Sequence, residues 1–113
     1  FVAHPEGAAV TSNQYATGLR SAGELRARLE AAMAGAGLDA WVCPSAPGVA
    51  PAGLTSTGSP AMNLPWTHAG LPVVTLPAGL LEGCPLGLQL VGRHGGDEAL
   101  LDLARRVEVL LRP

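Results

Sequence analysis

The sequence predicts an α/β fold of about three strands with flanking helices, cut from a larger sheet. Two segments, 22–34 and 97–111, repeat apolar residues at helical spacing. Three short runs, 40–43, 72–77 and 86–91, are apolar at nearly every residue, as strands covered on both faces are. Two amphipathic helices are thin cover for three such strands, so the element count points to part of a larger domain. A chain that begins at Phe1 rather than Met reads the same way.

The elements follow in order. Residues 1–20 show little pattern and read as an irregular lead-in or a helix end. Ser21 and Glu24 have the spacing of a capping box, in which each side chain satisfies a free backbone N–H at a helix start. Leu25, Leu29, Ala32 and Met33 then form one apolar stripe, with Gly35 and Gly37 available to end the helix in a left-handed cap. The run Ala40-Trp41-Val42-Cys43, stopped by Pro44, reads as a buried strand. From Pro44 to Pro65 neither helical nor strand period is visible, and five prolines punctuate the stretch. A loop of such length in a compact domain is usually functional or disordered, and the anchors Leu54 and Met62 favour function. A short helix fits 63–69. The strands at 72–77 and 86–91 are joined by a linker short enough for a hairpin. Asp97 caps the last helix, whose stripe is Leu100, Leu103, Ala104, Val107 and Leu111. Asp102 with Arg106, and Glu108 with Arg112, are i,i+4 pairs of favourable orientation.

Composition excludes several classes of function. The net charge is −2 and the seven basic residues, all Arg, are dispersed, which leaves no basic face for nucleic acid. Gly and Pro interrupt the apolar stretches before any reaches the length of a membrane span, and no signal peptide is visible. Cys43 and Cys84 are too few for a disulfide framework and have no partner at metal-ligand spacing, so both read as buried free thiols in a reducing cytoplasm. A homo-oligomer is compatible with the sequence.

Reactive groups are scattered. His4, His68 and His94 stand apart without an evident partner, and a general base needs a positioned one. Ser45, Ser56 and Ser59 lie in the long loop, outside any Gly-x-Ser-x-Gly elbow. Gly92, Gly95 and Gly96 precede an acidic helix start that would repel phosphate. No lysine occurs anywhere, so a mechanism that uses a neutral amine as base cannot run from this chain alone.

A resemblance carries the reading further. The stretch from Asp39 to Pro47, with its Trp41-Val42-Cys43-Pro44 core, resembles a strand and Pro-containing turn found late in amidase-signature enzymes. Thr57-Gly58-Ser59-Pro60-Ala61-Met62-Asn63-Leu64-Pro65-Trp66-Thr67-His68-Ala69-Gly70-Leu71-Pro72 resembles the segment that follows there. The runs from Val73 to Gly79 and from Pro85 to Gly92 are similar to the family's two late strands, and 97–111 to its closing helix. The resemblance covers residues 15–113 and implies the C-terminal portion of that family's mixed-sheet fold. It also implies a carboxamide hydrolase or transferase that works without a cofactor through a Ser–cis-Ser–Lys triad. The triad belongs to a Gly/Ser-rich part of the fold that nothing here matches. This chain would then supply late strands and part of a substrate-pocket wall, with a small-molecule amide and the remainder of the amidase chain as its partners. The natural pocket element is the loop 53–67, where Trp66 offers a flat apolar wall and Thr57, Asn63 and Thr67 offer hydrogen bonds. Simpler roles stand beside these: Trp66 as core filler, Asn63 and Thr67 as helix caps. Two other readings share the resemblance, a non-catalytic interaction module and a component of a glutaminyl-tRNA amidotransferase. The latter usually carries an Asp-x-Tyr/Phe-Thr pattern where this chain has Asn63-Leu64-Pro65-Trp66-Thr67.

Overall fold

The structure, a computed structural model, describes residues 9–111. Helix α1 spans Ser12–Ala36 and so begins well ahead of the start expected at 22. Its start is a capping box upstream of Ser21: the Thr11 hydroxyl accepts from the Gln14 backbone N–H, and the Gln14 side chain accepts from the Thr11 backbone N–H. The sequence-based start at Ser21 is therefore displaced, and Ser21 sits in the helix interior. Gly37 ends the helix at φ 64°, with the Leu38 N–H closing back on the Met33 carbonyl. Of the expected stripe, Leu25 and Leu29 pack inward and Met33 is fully buried, whereas Ala32 is exposed.

Three strands follow: β1 at Trp41–Pro44, β2 at Val73–Leu81 and β3 at Cys84–Val91. The sheet order is β1-β3-β2, and both pairings are antiparallel. Trp41 pairs with Val91 on one side of β3, and Val73 pairs with Val91 on the other. The buried strand expected at 40–43 is thus an edge strand, and Val42 is 59% exposed. The hairpin is also tighter than the expected linker, because β2 and β3 run on to Leu81 and Cys84. That leaves Glu82 and Gly83, at φ 53° and 77°, as a two-residue turn with both positions left-handed. Two β2 residues, Ala78 and Gly79, oppose the single residue Leu86, a bulge made possible by Gly79 at φ 121°.

Adjacent residues on β3 point to opposite faces, so each face carries its own core. On one face Leu76 and Leu90 meet Leu100 and Ala104 of helix α3, Asp97–Leu111, with Val107 and Leu111 against them. On the other, Val91 meets Ala69 and Leu71, with Leu25, Leu29, Trp41 and Trp66 packed around them. The short helix α2, Leu64–Ala69, stands between α1 and the sheet and ends at Gly70, φ 67°. The guanidinium of Arg26 on α1 donates to the Ala69 carbonyl at 2.7 Å, satisfying one of the open acceptors at the end of α2. The Gly96 carbonyl accepts the first α3 bond, from Leu100, so Gly96 is the cap and Asp97 the first helical residue. Asp97 and Glu98 there still oppose the positive end of the helix dipole. The pair formed by Asp102 is with Arg105, at 3.4 Å, rather than with Arg106. Arg112, the expected partner of Glu108, lies outside the described residues, as does His4.

Candidate functional site

The long loop begins where β1 leaves the sheet. The Ser45 N–H donates to the Gly87 carbonyl at 2.9 Å, the last rung before the chain turns away. The Asn63 side chain donates to the Ser45 carbonyl at 3.2 Å, tying the exit of the loop to its return. A Cβ at Gly87 would strike the Ser45 hydroxyl and the Thr75 methyl, so only glycine lets the Ser45 side chain lie this close to β3. Further out, Gly58 at φ 89° lies against Pro51, where a Cβ would be 3.5 Å from the ring, and the two arms of the loop meet. The Ser56 and Ser59 hydroxyls accept from the N–H groups of Gly58 and Ala61, holding the outer arm in local turns.

Between this loop and the β2–β3 hairpin lies a cleft of about 720 Å³. Its walls are Val42 to Pro51, Thr57 to Ser59, Ala78, and Pro85 to Leu88. None of these side chains is charged, and none is a histidine. The polar side chains on offer are the hydroxyls of Ser45, Thr57 and Ser59 and the thiol of Cys43. Proline recurs at 44, 47, 51 and 85 and stiffens the walls. Such a cleft can hold and orient a small molecule, but it contains no general base to activate a hydroxyl.

The expected contact residues divide. Thr57 lines the cleft. Asn63 lies behind it and reaches it through Ser45. Trp66 is stacked on Trp41, with centroids 6.5 Å apart and planes inclined by 24°, and packs against the Ala69–Leu71–Val91 cluster. Thr67 is exposed on α2, its N–H bonded to the Asn63 carbonyl. The Asn63 side chain makes no cap bond to α2. Both indole nitrogens of the stack are buried without a hydrogen-bond partner. The sequence marks Ser45 only as one of three loop serines and does not join it to the hairpin wall, since the two meet through β1–β3 pairing. The local trace of that contact is Gly87 standing between Leu86 and Leu88.

The remaining reactive groups serve packing. His68 Nε2 is 2.9 Å from the Ser21 hydroxyl, an exposed tie between α2 and α1 outside the cleft. Gln89, buried, donates to the Met62 carbonyl at 3.2 Å and to Cys43 Sγ at 3.4 Å. Cys43 and Cys84 are free thiols, half-buried rather than buried. Among the described residues no cluster of His, Cys, Asp or Glu could hold a metal ion, and no helix is long and apolar enough to cross a membrane.

Comparison with known proteins places this geometry. The model of the Amidase family matches residues 3–101. A protein described as "Crystal structure of amidase" superposes with a TM-score of 0.72 at 32% identity, over 95% of this chain and 27% of that one. The chain belongs to the amidase family. Among curated relatives, the A-type subunit of the glutamyl-tRNA(Gln) amidotransferase from Lacticaseibacillus casei is 38% identical over 47 residues, 42% of this chain and 10% of that protein. Its counterpart in Exiguobacterium sibiricum is 32% identical over 56 residues, 50% of this chain and 12% of that one. The counterpart in Nitrosococcus oceani is 45% identical over 40 residues, 35% and 8% of the two chains. The chain therefore spans about a quarter of the solved amidase, and the matched stretches cover about a tenth of the curated relatives.

Proposed function

We propose that this chain forms one wall of the substrate pocket in an enzyme that hydrolyses a carboxamide to a carboxylate and ammonia or an amine, in a reducing cytoplasm. The observation that carries the proposal is the cleft: concave, rigid, lined with hydroxyls and apolar groups, and devoid of a base. It binds without performing chemistry. The nucleophile and its lysine base belong to the remainder of the amidase fold. In this reading Thr57 touches the substrate and Asn63 positions Ser45 at the cleft wall. Trp66 contributes by holding α2 where the loop re-enters the fold, while Thr67, exposed on α2, lies outside the cleft lining.

The test compares two proteins, the 113-residue chain and a full-length amidase that carries it. Ammonia release from simple amides is expected from the full-length protein and not from the chain alone. Turnover by the chain alone that survives repurification, and is lost when one of its serines is mutated, would overturn the division of labour. A second reading, part of a tRNA-dependent amidotransferase, is favoured by the curated relatives. It takes over if the full-length protein leaves simple amides intact but supports amidation of glutamyl-tRNA(Gln).

A further inference from the structure

We propose that Gln89 is a positioning residue: its side-chain amide seats the return of the long loop on β3 and so sets where the loop wall of the cleft stands. The inference rests on the pocket-wall reading and deepens it. Gln89 carries the one amide side chain of β3, and it is 1% exposed. A buried amide is costly unless its hydrogen bonds are made. Here its Nε2 group donates to the Met62 carbonyl at 3.2 Å and to Cys43 Sγ at 3.4 Å. The Met62 carbonyl stands just ahead of α2, where bonding begins one residue later with the Asn63 carbonyl accepting from Thr67. A leucine in place of Gln89 would fill the space and leave that carbonyl without this donor. Apolar contact has no direction, whereas an N–H···O bond fixes a distance and an angle.

Residues 87, 89 and 91 share one face of β3, and each holds a different part of the chain. The Ser45 side chain lies over Gly87, where the loop leaves the sheet. Gln89 takes Met62, where the loop returns. Val91 takes Ala69 and Leu71, at the end of α2 and beyond it. Cys43 and Thr75 flank Gln89 on the two neighbouring strands, so its backbone is fixed from both sides. The Asn63 side chain closes the same base by donating to the Ser45 carbonyl at 3.2 Å. The cleft residues Thr57 to Ser59 stand on the returning arm, and only Pro60 and Ala61 separate Ser59 from Met62. A foot released from Gln89 therefore carries this part of the wall with it. Gln89 itself is not among the residues that line the cleft, so it acts through Met62 rather than on a bound molecule.

The experiment uses the full-length amidase with Gln89→Met, a side chain of similar length that cannot donate. Amide hydrogen exchange across 46–63 should speed up by about threefold to tenfold, the worth of one hydrogen bond, with exchange in α3 unchanged. KM for a simple amide should rise by a similar factor while kcat stays within about twofold, the pattern of lost ground-state binding. A purely structural role would instead raise exchange in 46–63 and in α3 together and leave KM per folded molecule unchanged. That result, or loop exchange that does not move, overturns the inference. If Gln89→Met does not fold, Gln89→Asn takes its place: it keeps the amide but is one methylene short of Met62, and the same outcomes decide. A full-length protein that hydrolyses no amide fails the underlying reading, and the exchange data still decide whether Gln89 seats the loop.

Discussion

At Trp66 two demands meet. The ring is half-buried, stacked on Trp41, and packs against Ala69, Leu71 and Val91 where α2 meets the sheet. Both indole N–H groups are sealed from solvent without an acceptor, and each such group costs about 1–3 kcal/mol. The stack is kept because two large apolar surfaces outweigh two lost hydrogen bonds. Trp66→Phe in the full-length amidase should thus shift stability by less than about 1 kcal/mol, since it removes an unsatisfied donor while keeping an aromatic ring. Trp66→Ala should cost about 3–5 kcal/mol, with kcat/KM per folded molecule nearly unchanged. Denaturant midpoints and normalised kinetics decide the matter. A stable Trp66→Ala protein with collapsed kcat/KM would put the ring at the substrate instead. The residues of 53–67 are legible in the sequence as a cluster of interest, but their separate roles are not. Thr57 faces the cleft and Trp66 the core because the loop folds back on β3, which no local period encodes. Nothing local sets Ser45 apart from Ser56 and Ser59, for the same reason: its importance comes from Gly87, forty-two positions away by their numbers.

The hairpin shows what local signals can and cannot specify. Its two apolar strands are evident, but the stretch between them, Gly79-Leu80-Leu81-Glu82-Gly83-Cys84-Pro85, reads as one linker. Cross-strand pairing carries Leu80 and Leu81 into β2, and the bulge at Gly79 absorbs the register change. The Glu82-Gly83 turn needs positive φ at both positions, a poor conformation for a residue with a long side chain. Glu82→Asn keeps the turn polar and suits that backbone better. It should raise the denaturant midpoint by the equivalent of about 0.5–1 kcal/mol, and a lower midpoint would show that the turn is held by something other than its dihedral angles. Helix α1 presents the opposite case. Its first half is almost wholly exposed, with Tyr15 at 64% and Leu19 at 59%, so the apolar stripe that marks the rest of the helix is absent there. The signal that does mark the start is Thr11-Ser12-Asn13-Gln14, a capping box with glutamine in place of glutamate. The last helix is legible throughout, because its stripe, from Leu100 to Leu111, is the face that the sheet buries.

Taken whole, the molecule is a slab. Its extents are 50 × 42 × 21 Å and its radius of gyration is 16.5 Å, against about 13 Å for a compact domain of similar length. Among the described residues both sheet edges are open: β1 and β2 each pair with β3 alone. Large apolar side chains stand in solvent at Val42, Leu80 and Leu110, which are 59%, 71% and 82% exposed. The element count suggests part of a larger sheet, and the chain spans 27% of the solved amidase on which it superposes. In the complete fold the rest of the amidase chain would cover these edges. In isolation a second copy is the nearest substitute, since an edge strand with free N–H and C=O groups templates pairing with another chain. The isolated chain should therefore self-associate in a concentration-dependent way, seen as a rising mass in light scattering. Val42→Lys, on the edge strand β1, should move it toward the monomer, because a charged edge residue resists pairing. A wild-type chain that stays monomeric at all concentrations would show that its edges are protected by the slab itself, and that the fold needs less of its parent than its shape implies.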